Sequence, residues 1–475
     1  MGIRGAIDKF GQGKRISLAS VAITHFKSTG RPIRIAIDIP IWLVQMKASC
    51  GGKNPELRAL FYRLLRILEL PIHPLFVFDG TDKPPFKRGK AIQGQSYECP
   101  PIIQPSKALL DLFRFPHHKA PGEAEAECAS LQMAGVVDAV MSNDVDTLMF
   151  GSRWTFVNFS SEPKSGTNAA THVTCYEMGD GGTLNAELDR PGMILFAMLC
   201  GADYHPPGIT NCGSKLAAEI ARAGFGRDLL EIMEADTDLD TRLNEWRARL
   251  QYELDENKSG HFRTKHKGVR IPETFPDETI LSYYAKPIVS SQQEVDYLRY
   301  RLRSAWDKDL DLPLLRQFTV DTLGWTYRHE AIKFISLLAK PLLSYKLRIG
   351  KFLVPDNGLN GDHSPALSQV FQSRNRPGTG GHGELQFYMV PIHIVDLDLS
   401  TERPGPSQSE MNKERNKQYD PYAIHDVWLF EHIAACGIPE TVERWRERAA
   451  GAKKRKRVDI TMAKGSILKY LASSA

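Results

Sequence analysis

Three short apolar segments constrain this chain more than anything else in it: residues 33–38 (IRIAID), 74–79 (PLFVFD) and 136–142 (VVDAVMS). Each is nearly continuous in β-branched, aromatic or other apolar residues, the pattern of a strand covered on both faces. Between them lie segments with apolar residues three and four apart: residues 54–70, opened by Asn54 and Pro55, and residues 123–134. Buried strands alternating with amphipathic helices predict an α/β domain on a mainly parallel sheet. From about residue 201 to 347 the pattern becomes mainly helical, with a polar interruption over 255–278.

Further along, residues 355–384 are rich in Gly, Asn, Ser and Pro, and residues 400–421 are charged and poor in apolar side chains. Both read as flexible tracts. Between them residues 385–399 alternate like a strand, and residues 422–448 carry the pattern of an amphipathic helix or helix pair. The expected layout is a core over 1–345, a small domain over 346–450 and a basic tail over 451–475 containing Lys453, Lys454, Arg455, Lys456 and Arg457. At 475 residues the chain is too long for one simple core. The net charge of +5 suits a polyanionic partner without requiring one. Seven scattered cysteines without C-x-x-C spacing argue against a zinc module and against a secreted disulfide framework. No apolar run reaches the roughly 18–20 residues of a membrane span. The start, MGIRGAIDKF, has no signal-peptide pattern and puts Ala6 where myristoylation needs Ser or Thr. A soluble, intracellular protein in a reducing compartment, with no membrane partner, is expected.

The first two strands end in Asp38 and Asp79, and the third is followed by Asp144 and Asp146. A lone Asp at a strand end is ordinarily a turn or helix cap. In an open parallel sheet, however, ligands bind beyond the carboxyl ends of the strands, so acids far apart in sequence converge there. The stretch APGEAEAE adds Glu123 and Glu125. Residues two apart do not share a helix face, so the pair converges only if Glu123 sits at the helix start, as Pro121 and Gly122 suggest. Glu127 reads better as part of a solvated helix face. Asp203, in LCGADY, follows another apolar run and can close the ring. So many carboxylates stay ionised together only beside cations. Oxygen ligands without His or Cys favour Mg²⁺ or Mn²⁺ over zinc. Two such ions about 4 Å apart can promote phosphodiester hydrolysis.

The stretches MGI, IAID, LFYRLLRILELPIHPLFVFDG, APGEAEAE, SNDVDTLMFG, and LCGADY followed by GITNCGSKLA occur in one order. Together they resemble the flap endonuclease/XPG superfamily over residues 1–225, with looser similarity to about residue 345. The resemblance implies a PIN-like/XPG nuclease core in which Asp38, Asp79, Glu123, Glu125, Asp144, Asp146 and Asp203 hold two Mg²⁺ ions, with Mn²⁺ able to substitute. It also implies that Gly2 becomes the mature N-terminus beside the active site. The segment from Gly208 to Lys215 resembles a helix–two-turn–helix spanning about 200–227, which grips a duplex and holds a K⁺ ion through backbone carbonyls. Its physics is legible: glycines such as Gly208 and Gly213 permit close backbone approach, amides at the helix start by Ser214 face a phosphate, and Lys215 adds charge. Lys83, Lys87, Arg88 and Lys90 fall where relatives begin an arch over the single-stranded 5′ end. Lys87 and Arg88 are rivals for steering the scissile phosphate. The stretch from Asp79 to Glu123 is short for an arch that threads a free end.

The C-terminal strand-and-helix pattern resembles a small chromodomain, an addition similar to that of the eukaryotic Holliday-junction resolvases of the Yen/Gen group. This implies an enzyme that is monomeric when free and dimeric on a four-way junction, making paired symmetric incisions, also cutting 5′ flaps, and working in the nucleus. The run 453–457 then reads as a nuclear localisation signal or a phosphate contact. Phe387, Tyr388, Trp428 and Phe430 could supply a methyl-lysine cage, although core packing is the better reading. The alternatives are a 5′-flap endonuclease or exonuclease with the same metals, an RNA-cleaving relative, and a catalytically dead DNA- or chromatin-binding adaptor. The intact acidic set speaks against the last.

Overall fold

The computed structural model describes residues 11–49, 51–87, 90–91 (main chain only), 101–162, 170–179, 182–184, 188–204, 206–235, 238–351, 367–405 and 419–451. Gly2, Arg88, the Lys90 side chain and the basic run 453–457 lie outside the described residues. The chain divides into two compact units, one formed by Met1–Leu64 and Ile72–Gly324, the other by Leu65–Pro71 and Trp325–Ala475.

Among the described residues the first unit holds nine strands: β1 Lys14–Ser17, β2 Ile33–Asp38, β3 Ile72–Phe78, β4 Phe86–Lys87, β5 Lys90–Ala91, β6 His117–Lys119, β7 Ala139–Met141, β8 Trp154–Ser160 and β9 His172–Glu177. Seven form one sheet in the order β1-β9-β8-β7-β2-β3-β6, while β4 and β5 make a separate antiparallel pair. The run β8-β7-β2-β3-β6 is parallel throughout, and only β9 and β1 are antiparallel. The expected mainly parallel sheet is therefore present. Its central strands bury both faces: five of the six β2 residues are buried, Arg34 being half-buried. The third strand is shorter than the sequence suggests. Val136 and Val137 lie in a turn bonded back to Leu131, and only Ala139–Met141 pairs.

Helices cover the sheet. α1 (Leu18–Thr29) is capped by Ser17 and ends at Gly30 with φ 73°, the left-handed geometry glycine adopts without strain. α2 is Ile39–Met46, α3 Pro55–Glu69, α4 Ile103–Leu112, α5 Ala124–Met133 and α6 the single turn Asp146–Met149. On one face, Ala36, Leu75 and Val77 pack with Ala124, Cys128 and Leu131 of α5. On the other, Trp42 meets Phe76 and Phe159 at centroid distances of 6.0 Å, and Phe61 meets Phe113 at 5.7 Å. A second core gathers α7 (Arg190–Cys200), α8 (Ser214–Arg222), α9 (Phe225–Glu234), α10 (Leu239–Glu256) and α11 (Glu278–Ala285). α12 (Gln292–Leu302) returns Val295, Leu298 and Leu302 to the first core, and α13 (Leu312–Leu323) completes the unit. Among the described residues no helix is long and apolar enough to cross a membrane, and the five described cysteines are free.

The second unit is built on α14 (Arg328–Arg348) and an antiparallel sheet β10-β11-β12 of Gln372–Asn375, Gly383–Met389 and His425–Phe430. Three readings of this region change. β10 lies inside the tract expected to be flexible. Residues 385–399 are a strand only to Met389, because Pro391 starts a short helix, α15 (Pro391–Val395). Residues 422–448 begin with β12, followed by α16 (Glu431–Gly437) and a helical stretch over 439–451. Of the four aromatics, Phe387 and Phe430 are buried, Trp428 lies 3.7 Å under the Arg374 guanidinium, and exposed Tyr388 packs on Phe371.

Glu384 on β11 is buried and held by Arg374 (2.8 Å) and Arg376 (3.0 Å). Burial alone would raise its pKa, but the two arginines hold it below the usual carboxylate range. A depressed pKa contributes stability that is complete above the unfolded value, about 4.3, and is lost as the pH falls through the folded one. Glu384→Gln is expected to destabilise this unit by about 1–3 kcal/mol at neutral pH. Urea unfolding of both proteins should show the gap narrowing as the pH drops below about 4.3.

Candidate metal centre

The carboxyl end of the parallel sheet gathers the acids. Asp38 is the last residue of β2 and also caps α2. Its Oδ1 accepts from the Ile41 amide at 3.4 Å, and its Oδ2 accepts from the Ser142 hydroxyl at 2.6 Å. Asp79 follows β3, which pairs with β2 in parallel register. Its Oδ1 accepts from the first amide of α5, Ala124, at 3.0 Å, and its Oδ2 takes the Lys83 ammonium at 3.2 Å. Gly80 lets these segments meet: a Cβ there would lie 1.9 Å from the Pro121 carbonyl oxygen. Glu123 has extended geometry (φ −84°, ψ 137°) as the residue that opens α5, and Glu125 is in its first turn. The helix-start placement inferred from Pro121 and Gly122 is the one observed.

Asp144 and Asp146 come from the loop after β7. Ser142 Oγ accepts from the Asp144 amide at 3.1 Å while donating to Asp38, so one hydroxyl ties two strand ends together. Asp203 follows α7. Asp38, Glu123, Glu125, Asp144, Asp146 and Asp203 are all buried, and Asp79 is partly exposed. Lys87 stands among them. Its ammonium lies 2.7 Å from Glu123, 2.6 Å from Glu125 and 3.7 Å from Asp203, and it faces the Tyr204 ring at 5.6 Å. Among the described residues no three acids already stand in a geometry that could hold an ion; the space between Glu123, Glu125 and Asp203 is taken by this ammonium.

The electrostatics follow from burial. Asp38 is pushed up to about 7 by desolvation, with Asp79 and Asp144 adding repulsion against the hydrogen bond from Ser142. Desolvation also holds Glu125 well above the usual carboxylate range, Asp144, Glu123 and Asp146 adding to it and Lys87 opposing. Asp146 is raised in the same way, by burial and then by Asp144 and Asp203. Burial alone would lower Lys87, yet Glu125 and Glu123 keep it well above the ordinary lysine range. Both carboxylate oxygens of Asp146 are buried without a hydrogen-bond partner. A buried carboxyl group with neither oxygen partnered, in an all-oxygen donor set, suits a hard divalent cation.

Glu127 overturns the expectation of a solvated face. It is fully buried, accepts from the Ser290 amide at 2.8 Å, and has His118 Nε2 2.9 Å from its Oε1. The helix face that carries it is roofed by the segment leading into α12, which no local pattern reveals. Sequence reasoning also passed over Ser142 and Tyr204. The latter, next to Asp203, donates its hydroxyl to Glu123 Oε2.

Beyond Asp203 the chain makes the expected pair of turns between α7 and α8. Gly208 (φ 62°) sits where a Cβ would lie 2.5 Å from the Leu199 carbonyl oxygen, and the Ile209 amide returns to that carbonyl at 2.8 Å. Gly213 precedes α8 and makes no side-chain cap bond, while Lys215 is exposed in the first turn.

Comparison with known proteins places this geometry. The XPG N-terminal domain model matches residues 1–96, the XPG I-region model residues 114–203, and the model of the Holliday junction resolvase Gen1 C-terminal domain residues 366–448. Flap endonuclease GEN homolog 1 of Homo sapiens is 29% identical over 220 residues, 42% of this chain and 23% of that protein, so the chain spans under a quarter of that relative. Flap endonuclease 1 of Pyrococcus horikoshii is 30% identical over 263 residues, covering 48% of this chain and 73% of that protein. A solved eukaryotic junction-resolving enzyme GEN-1, described with cesium, is 39% identical with a TM-score of 0.77, covering 94% of this chain and 100% of that one. A solved GEN1 complex with product DNA, Mg²⁺ and Mn²⁺ is 38% identical with a TM-score of 0.75, over 94% of this chain and 100% of that one. On sequence, fold and the order of its acid-bearing motifs, the chain belongs to the flap endonuclease/XPG superfamily and is GEN1-like within it.

Proposed function

We propose that this chain is a Mg²⁺-dependent, structure-specific endodeoxyribonuclease that resolves four-way DNA junctions by paired incisions and also cuts 5′ flaps. The observation that carries the reading is that seven acids interact with one another beside the carboxyl end of one mainly parallel sheet, with both Asp146 oxygens buried and unpartnered. Asp38, Asp79, Glu123, Glu125, Asp144, Asp146 and Asp203 would hold two Mg²⁺ ions, Mn²⁺ being able to substitute. Bound there, the ions supply the charge neutralisation and Lewis acidity that phosphodiester hydrolysis needs. The residues around them do the rest. Ser142 and the Ile41 amide fix Asp38, and the Ala124 amide fixes Asp79. Lys87 balances Glu123 and Glu125 in the resting cluster. Were Glu123 and Glu125 to hold ions instead, the Lys87 ammonium would be free to face a substrate phosphate. Arg88 remains its rival by sequence.

The duplex grip belongs to the turns between α7 and α8. Gly213 leaves the first amides of α8 without a side-chain cap, and Lys215 adds an exposed charge beside them, an arrangement suited to phosphate rather than to base reading. Gly208 and Ser214 complete it, with backbone carbonyls of the turns as the place for K⁺. The match of residues 366–448 to the Gen1 C-terminal model and the likeness to solved junction-resolving enzymes favour junctions over flaps as the main substrate. A chromodomain-like role for this region, nuclear localisation, the layout 1–345, 346–450 and 451–475, a Gly2 N-terminus near the site, and dimerisation on the junction belong to the same reading.

Asp38→Asn and Glu123→Gln are each expected to slow cleavage at least about 100-fold, about 2.7 kcal/mol of barrier, while leaving junction affinity in Ca²⁺ within about twofold; a variant that still cuts near the wild-type rate removes that acid from the centre. Lys215→Ala should weaken binding to all duplex sequences alike and reduce the slope of log affinity against log salt by about 1; an unchanged slope removes the grip. The decisive assay uses a four-way junction extruded in a supercoiled plasmid. Linear product within one binding event establishes paired incision, and nicked circles alone replace junction resolution with uncoordinated flap cleavage.

A further inference from the structure

The acid cluster has a second layer of buried hydroxyls. Tyr204 donates to Glu123 Oε2 while Lys87 holds Glu123 Oε1, so that carboxylate is gripped on both oxygens. The Tyr204 ring lies 4.7 Å from that of Tyr284 and 5.4 Å from that of Tyr283, both at the end of α11. Tyr284 is completely enclosed; its hydroxyl lies against the Tyr204 main chain but forms no hydrogen bond of good geometry. The two Asp146 oxygens are also buried without a hydrogen-bond partner. Unsatisfied buried polar groups are rare in folded proteins and each calls for an explanation.

Arg190 joins the main chains of the two segments that carry these groups. Its Nε donates to the Met149 carbonyl at 2.7 Å, and its Nη2 donates to the carbonyls of Tyr284 and Ala285 at 3.1 and 3.0 Å. Asp146 opens α6 and Met149 closes it, so one guanidinium seats both the acid-bearing turn and the tyrosine. Burial, and after it the Asp146 charge, push the Tyr284 hydroxyl far above the ordinary tyrosine range, which keeps it a donor.

We propose that Tyr204 and Tyr284 are positioning residues of the acid cluster, Tyr204 orienting Glu123 and Tyr284, seated by Arg190, serving the Asp146 side when a divalent ion is bound. The role rests on the acids being metal ligands. Hydrogen bonds from residues behind a ligand set its orientation and basicity, and their loss weakens metal binding rather than substrate binding.

The test titrates Mn²⁺ into the full chain without DNA and counts bound ion by electron paramagnetic resonance. Tyr204→Phe keeps the ring and removes the hydroxyl. It is expected to weaken Mn²⁺ binding by about 10-fold and to raise the Mg²⁺ needed for half-maximal single-turnover cleavage by the same factor, with cleavage restored at saturating Mg²⁺. Tyr284→Phe should shift both quantities in the same direction by a smaller factor, and it carries the test alone if Tyr204→Phe does not fold. Unchanged Mn²⁺ binding in the folded variants, or a cleavage loss that saturating Mg²⁺ does not restore, overturns the positioning role. Asp146→Asn, run alongside, separates the two layers. Wild-type Mn²⁺ binding in Asp146→Asn would remove Asp146 as a ligand, whereas unchanged binding in the tyrosine variants alone removes only the second layer.

Discussion

Repulsion among carboxylates that burial has taken out of water is the constraint to which the centre of this molecule answers. Asp38, Glu125 and Asp146 are all raised above the ordinary carboxylate range, and in each case desolvation is the largest cause. The surrounding groups share the work of tolerating that. Ser142 and two backbone amides stabilise Asp38 and Asp79, Lys83 and Lys87 bring positive charge, and Tyr204 holds the outer oxygen of Glu123. Among the described residues, Asp146 is the carboxylate left with both oxygens buried and unpartnered. Strain of this kind is characteristic of sites built to receive a cation, because structural ion pairs are satisfied within the fold, as Glu384 is by its two arginines.

The parallel sheet makes the cluster possible. Neighbouring strands β2, β3 and β7 run in one direction and end at one edge, so the residue after each strand arrives at the same place. Packing then fixes the remaining acids. Gly80 allows the loop after β3 to lie against Pro121, which sets the start of α5 and with it Glu123 and Glu125. Arg190 seats α6 and thus Asp146. The glycine-containing turns between α7 and α8 follow by continuity, since Asp203 and these turns share one short connection.

The architecture was legible in the sequence wherever a local pattern had a single physical reading. The apolar runs ending in Asp38 and Asp79, the three- and four-residue spacing of α3, and Pro121-Gly122 before Glu123 all describe elements found nearly as read. Less was legible where a residue's partner is remote. Glu127 carries the pattern of a solvated face, yet it is enclosed because the segment with Ser290, far along the chain, folds over it. In the second unit, apolar alternation ran past Met389 into a short helix that Pro391 starts, and the strand His425–Phe430 was concealed within an amphipathic stretch. Short apolar runs fit strand and helix alike, and only pairing with β11 decides the matter.

The sequence by itself determined the chemistry: oxygen-only acids at strand ends, in the order of a nuclease superfamily, beside a glycine-rich turn with Lys215. That much is local, since strand polarity and residue type dictate it. Only the tertiary structure decided where the charges stand relative to one another. Within one basic stretch the sequence left Lys87 and Arg88 as rivals and gave Lys83 no partner, but the fold places Lys87 between Glu123 and Glu125 and gives Lys83 to Asp79. Tyr204 and Tyr284 were two tyrosines among fifteen until packing enclosed them behind the acids. The difference is one of range. Hydrophobic periodicity is read within a turn or a strand, whereas Coulomb energy and desolvation depend on distances that exist only once remote segments are packed together.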